Sequence, residues 1–304
     1  MPDPATTPGG AGAAVENAGT ALSPSLGRSV GYVVYRAFLQ MQAIYVEAFD
    51  GAVHPRELTL IARLLASGGS SQQELADCMS VNRSMMVHVI DQLERAGVVT
   101  RERSATDRRS YNLKATDRAV ERLAWAAPLI REAEAKTMRR LNTDQRARLR
   151  ELLVKLVGPD LPAVAPPVSE TTGYVVARAH FALHARANEL LAPIGLDIRE
   201  FATLQTIEDL APCSQQQVAT MLGVSGPVVV ELIDALEPRG LVVRERNPVD
   251  RRSYALRLTP AGRALRKRAY SALSTTEDTI GERLDAGESN ELSDLLRLLV
   301  GAAC

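Results

Sequence analysis

A mainly α chain with small β wings, built as two copies of one domain, is predicted by three observations on the 304-residue sequence. First, the chain repeats itself: Gly31-Tyr32-Val33-Val34 returns as Gly173-Tyr174-Val175-Val176, and Ser71-Gln72-Gln73 as Ser214-Gln215-Gln216. Asp107-Arg108-Arg109-Ser110-Tyr111 likewise returns as Asp250-Arg251-Arg252-Ser253-Tyr254. A period of roughly 140 residues is a domain rather than a solenoid unit. Second, apolar residues recur at helical spacing through most of each copy. Third, each copy holds one pair of alternating stretches about a polar turn, the pattern of a hairpin.

Each copy reads helix, helix, helix, helix, hairpin, helix, helix. Val30, Val34, Phe38, Met41, Tyr45 and Phe49 mark the opening helix of copy one, and Leu149, Leu152, Leu153 and Leu156 the closing one. Leu292, Leu295, Leu296 and Leu299 close copy two in the same way. Ser71, with Glu74 three residues on, is a capping box for a short third helix, and Asn82 and Ser225 are candidate caps for the fourth. Gly97 and Gly240 end that fourth helix. Val98-Val99-Thr100-Arg101 and Tyr111-Asn112-Leu113 follow as strands, matched by Leu241-Val242-Val243-Arg244 and Tyr254-Ala255-Leu256. A short helix, a turn, a second helix and a hairpin make a winged helix-turn-helix.

The expected division is a tail over 1–26, one domain over 27–158, a Pro-rich linker over 159–168 and a second domain over 169–304. The tail is rich in Gly, Ala, Pro and Thr and has too little large apolar content to order itself. The linker reaches at most about 35 Å when extended, which keeps the end of copy one near the start of copy two. With 46% apolar residues, each domain can bury a core. No apolar run approaches the roughly 18 residues of a membrane span, and the start lacks the basic-then-apolar order of a secretion signal. A soluble cytoplasmic protein is expected. Cys78, Cys213 and Cys304 are scattered and odd in number, suggesting neither a disulfide framework nor a zinc site. Lys plus Arg, 36, equals Asp plus Glu, 36, so any case for nucleic acid rests on local charge.

Three stretches of copy one resemble the MarR family of regulators: Ile90-Asp91-Gln92-Leu93-Glu94-Arg95-Ala96-Gly97-Val98-Val99, Arg101-Glu102-Arg103 and Asp107-Arg108-Arg109. Copy two repeats them as Ile233-Asp234-Ala235-Leu236-Glu237-Pro238-Arg239-Gly240-Leu241-Val242, Arg244-Glu245-Arg246 and Asp250-Arg251-Arg252, and adds Leu258-Thr259-Pro260-Ala261-Gly262. The resemblance implies a dimer-like body in which first and last helices intertwine and two recognition helices enter successive major grooves. In one chain this becomes an intramolecular pseudo-dimer with the mass of a monomer.

Double-stranded DNA is the expected partner. At the wing tips Arg108 and Arg251 can enter a minor groove, attracted by its negative potential, and the neighbouring Arg109 and Arg252 are further DNA-binding candidates. Arg101, Arg103, Arg244 and Arg246 stand on the wing strands. In copy one Met86, Val89, Ile90 and Leu93 fall on the buried face of the recognition helix, leaving Arg83, Ser84, Val87 and His88 outward, with Asn82 at its start as a further DNA-binding candidate. Copy two offers Ser225, then Pro227 and valines, with Glu231 where His88 stands, and a carboxylate is repelled by phosphates. Either this half contributes mainly backbone and wing contacts, or the scaffold has left DNA binding for another use.

The resemblance also implies a small hydrophobic or aromatic ligand bound between the helical seam and the winged region. Candidates to line such a site are Tyr32, Tyr35, Phe38, Tyr45, His54 and Trp125 in copy one, and Tyr174, His180, Phe181 and His184 in copy two. His180 and His184 are spaced for one helix face, but no third ligand accompanies them, so no metal is assigned. Cys78 falls in a short helix expected to be buried, which disfavours a thiol sensor. No nucleophile elbow, phosphate loop or metalloenzyme motif is present, and no catalytic residue or cofactor is assigned. The expectation is a sequence-specific DNA-binding regulator, a repressor relieved by a ligand. The alternative is a ligand-binding or catalytic protein on the same scaffold that has lost DNA binding.

Overall fold

The computed structural model describes residues 22–79, 81, 83–103, 111–159, 161–246 and 254–302. The chain forms two compact units. Of the described residues, unit one takes those up to Ala43, Arg140–Leu156, and those from Ala179 onward; unit two takes those of Ile44–Arg139 and Val157–Arg178. Compactness therefore cuts across the repeats, because each unit takes in the opening segment of the other copy. An amphipathic opening helix must bury its apolar stripe, and nothing in its own periodicity says against which copy.

In unit two, helix α1 (Val30–Phe49), which begins in unit one, ends with Phe49 buried. Helix α2 (Pro55–Ser67) starts at a capping box: His54 Nδ1 accepts from the Arg56 N–H at 3.1 Å, and Glu57 turns back to the His54 N–H. It ends where Gly68 turns left-handed at φ 70°, a conformation that carries no penalty for glycine. The expected capping box between Ser71 and Glu74 is present (2.7 and 3.2 Å) and opens α3 (Gln72–Met79). Helix α4 (Arg83–Arg95) buries Met86, Ile90 and Leu93 and stops at Gly97. Strands β2 (Val99–Arg103) and β3 (Tyr111–Ala115) pair antiparallel from Val99 opposite Ala115 to Arg103 opposite Tyr111, and β1 (Ser70–Ser71) adds to the far edge of β3. Helix α5 (Asp117–Thr137) covers the core formed by Leu58, Ile61, Leu75, Met86, Ile90 and Leu113. Each such side chain contributes roughly 1.5–3 kcal/mol by leaving water. Linker residues Val164 and Val168 join that core, so the linker is a packed strap as well as a tether.

In unit one, helix α6 (Thr143–Val157) lies with the second winged helix, except for its final residue. Helix α7 (Thr172–Leu191) begins in unit two and ends here. Then come α8 (Ile198–Leu210), capped by Asp197 and Glu200, and α9 (Gln215–Leu222), capped by Ser214 and Gln217. Helix α10 (Gly226–Leu236) follows; Ser225 occupies its N-cap position but makes no side-chain capping bond, unlike the expectation. Strands β4 (Val242–Arg246) and β5 (Tyr254–Leu258) form the second hairpin, from Val242 opposite Leu258 to Arg246 opposite Tyr254. Helices α11 (Pro260–Gly281) and α12 (Ala286–Val300) complete the unit. Lys155 and Arg148 of α6 pair with Glu288 and Glu291 of α12 at 2.5 and 2.9 Å. Residues 22–26, expected to belong to an unordered tail, are instead built into unit one. The Ser23 and Ser25 hydroxyls both donate to the Asp209 carboxylate at 2.6 Å, and Leu26 is buried.

Candidate nucleic-acid interface and ligand cavity

The two recognition helices bury the same stripe and expose different chemistry. On α4, Arg83, Ser84, Val87 and His88 face solvent as the periodicity requires, joined by Met85. This surface offers a cation, a hydroxyl and an imidazole to base edges or phosphates. On α10, Val229, Leu232, Ile233 and Leu236 are buried, and the outer face carries Pro227, Val230, Glu231 and Asp234.

The wing strands divide their arginines between two tasks. Arg101 turns back onto α4, meeting Asp91 at 2.5 Å and Glu94 at 3.4 Å. Arg244 repeats the arrangement with Asp234 at 2.5 Å and with Glu237. These two guanidiniums, expected at the DNA face, are engaged by carboxylates and join hairpin to helix. Arg103 lies exposed at the outer end of β2, and Arg246 ends β4 through main-chain pairing with Tyr254. Arg108, Arg109, Arg251 and Arg252, like Asn82, lie outside the described residues.

Unit one contains a cavity of about 280 Å³, walled by Tyr32 and Tyr35 of α1, His180 and His184 of α7, and Val228 and Leu232 from the inner side of α10. Phe38 stacks on His180, with ring centroids 4.5 Å apart and planes 17° apart, while Phe181 lies 5.4 Å from Phe38; both back the wall without lining the cavity. The His180 and His184 rings lie 5.6 Å apart. Burial, reinforced by His184, pushes His180 down to about 4, and burial lowers His184 as well. Burial, with Tyr32 beside it, holds Tyr35 up at about 12. The two imidazoles and the Tyr35 hydroxyl are thus neutral at pH 7. Arg28 and Arg199 supply positive charge to the lining, so the space suits an apolar or aromatic body with an anionic group.

Four residues expected at a ligand site belong to unit two and line none of this cavity. The Tyr45 hydroxyl donates to Glu134 at 2.8 Å, His54 caps α2, and the Tyr174 hydroxyl donates to the Pro162 carbonyl at 2.6 Å. Trp125 is 50% exposed on α5. One helical stripe, from Tyr32 to Phe49, runs through two units, and spacing alone does not divide it. Cys78, expected to be buried, is partly exposed; burial still raises its thiol, and its carbonyl accepts from Arg178. Arg28, Arg199 and Tyr270 of the lining were not anticipated. Isolated cations such as Arg28, in the short turn before α1, and Arg199, in the first turn of α8, look in sequence like ordinary solvated surface. Among the described residues, no group of three or more His, Cys, Asp or Glu is gathered as a metal site requires, and no single helix is long and apolar enough to cross a membrane.

The MarR family model matches this chain twice, over 53–111 and 196–254, from the approach to the first helix of each winged domain into its second wing strand. A regulatory protein ascribed to the hcr operon of Thauera aromatica is 32% identical over 127 residues, which are 42% of this chain and 74% of that protein. The HTH-type transcriptional repressor Rv2887 of Mycobacterium tuberculosis is 28% identical over 127 residues, 42% of this chain and 91% of its own. Among solved structures, the transcriptional repressor CouR bound to a 23-mer DNA duplex is 36% identical, covering 43% of this chain and 93% of that one with a TM-score of 0.42. Each relative spans about one repeat, and the family model matches both. The chain belongs to the MarR family and carries two of its winged helix-turn-helix domains in one polypeptide.

Proposed function

We propose that this protein is a sequence-specific DNA-binding transcriptional repressor, released by a small ligand and acting as a single-chain pseudo-dimer. The observation that carries the reading is the solvent-facing Arg83, Ser84 and His88 surface of α4, beside a hairpin tied to the same helix by Arg101. Its relatives are transcriptional regulators and repressors. The pseudo-dimer is supported by one join made twice. In unit one, the Tyr32 hydroxyl and the Arg36 guanidinium both donate to the Met221 carbonyl, at 2.8 and 2.9 Å. In unit two, Arg178, which the repeat aligns with Arg36, donates to the carbonyl of Cys78, which it aligns with Met221. Ligand response is supported by the cavity under α10, whose Val228 and Leu232 a bound molecule would touch.

A salt titration of binding to the DNA upstream of the gene tests the reading. Real phosphate contacts give a steep fall of affinity with salt, and Arg108→Ala or Arg251→Ala each lowers the slope by about one unit for every phosphate no longer neutralised. Light scattering returns the mass of one chain. Binding without salt dependence, or a slope unchanged in the double variant, counts against it. The second reading, a ligand-binding scaffold without DNA binding, is favoured by the Pro227, Val230 and Glu231 face of α10; it predicts probe binding in unit one and no DNA complex at low salt.

A further inference from the structure

We infer that the two repeats have divided their labour, so that each chain senses one ligand molecule, in unit one, while the corresponding place in unit two is permanently filled by the protein itself. The inference rests on the ligand-responsive reading above and concerns how that response is built.

The repeat, in the register that pairs Gly31 with Gly173, aligns Tyr45 with Ala187 and Arg28 with Glu170. Ala187 lines the unit-one cavity, where its methyl leaves the space open. In unit two the Tyr45 ring packs against the core, and its hydroxyl donates to Glu134 at 2.8 Å. Glu134 also accepts from the Thr172 N–H at 2.7 Å and the Gly173 N–H at 3.3 Å. It thereby caps α7, the helix that the repeat pairs with α1. Burial of Tyr45 and the adjacent carboxylate raise that phenol well above its usual range, so it stays a protonated donor. The hydroxyl that the plug brings is therefore satisfied, and a ligand would have to displace a ring and a charge-assisted hydrogen bond together.

The linker packs on unit two as residues 22–26, which the repeat aligns with 164–168, pack on unit one. Ala165 N–H donates to the Ala62 carbonyl at 2.8 Å, Arg63 donates to the Ala163 carbonyl at 3.0 Å, and Tyr174 donates to the Pro162 carbonyl. Val164 and Val168 are each only 7% exposed. Charge separates the two places as well: where unit one offers Arg28 to an anion, unit two has Glu170. The plug and the charge reversal thus close the place in unit two, while the lobe with the apolar recognition helix kept the open cavity.

The test is calorimetric titration of the full chain with 8-anilinonaphthalene-1-sulfonate, an anionic aromatic probe, with circular dichroism on each variant. The expected result is one probe per chain. Ala187→Tyr, which installs the unit-two plug, weakens binding about tenfold or more. Arg28→Glu, a surface-compatible change that copies Glu170, weakens it as well and serves if A187Y fails to fold. Tyr45→Ala adds a second, weaker site. Two equivalent probes on the wild type, no saturable binding, or wild-type affinity in both folded A187Y and R28E overturns the inference. Mobility shifts without probe are read separately: loss of the DNA complex there removes the repressor reading and leaves the stoichiometry standing.

Discussion

Arg101 on the first wing strand and Asp91 on the recognition helix meet at 2.5 Å, and Arg244 and Asp234 repeat that distance in the second lobe. The pair joins a hairpin to a helix across an exposed surface, so it contributes orientation more than stability. Arg101→Ala should change unfolding free energy by only about 0.2–1 kcal/mol. DNA affinity should fall by more than that, because a wing free to pivot pays ordering entropy on binding. Parallel melts and mobility shifts check this; equal losses in both would mean the arginine acts on the fold alone.

The unequal recognition helices predict an asymmetric target. His88→Ala should relax base preference in one half-site only, each disfavoured base in that half costing roughly 1–3 kcal/mol in the wild type. Glu231→Arg should tighten binding by replacing a repelled carboxylate with a cation. Footprints on operators scrambled one half at a time decide the matter. A protein equally sensitive to both halves contradicts it.

Glu134 holds Tyr45 and the first turn of α7 together. Glu134→Ala should cost about 1–3 kcal/mol, since it strands a buried phenol and two helix N–H groups. Glu134→Gln keeps the acceptor but not the charge and should recover part of the loss in chemical denaturation. An alanine variant as stable as the wild type would show that this carboxylate does not hold unit two together.

His180 predicts the sign of a pH effect. Burial and the neighbouring His184 push it down to about 4 from the usual 6.5. Between those values the unfolded chain holds a proton that the folded chain excludes, so stability falls as pH drops through that window. The full loss is at most about 3–4 kcal/mol, less where solvent reaches the ring. His180→Phe, which copies the residue at the equivalent Phe38, should flatten the slope while His184 keeps a remainder. Melting temperatures between pH 4 and 7 measure it, and an identical profile in the variant sinks the assignment.

By itself the sequence determined the repeat, the winged domains, the buried stripe of α4 through Met86, Ile90 and Leu93, and the outward set of Arg83, Ser84 and His88. These follow from local periodicity, caps and turns, which a chain carries wherever it packs. Only the tertiary structure decided that Tyr32 and Arg36 close onto Met221 of the other repeat, and that Tyr35, His180 and His184 share a cavity with Arg28 and Arg199. Only the structure separated Tyr45, bonded to Glu134, and half-exposed Trp125 from that cavity. Spacing reports that a face is buried, whereas the partner that buries it is chosen by long-range complementarity. An exchange of opening helices between two repeats of the same helical pattern leaves every local pattern unchanged.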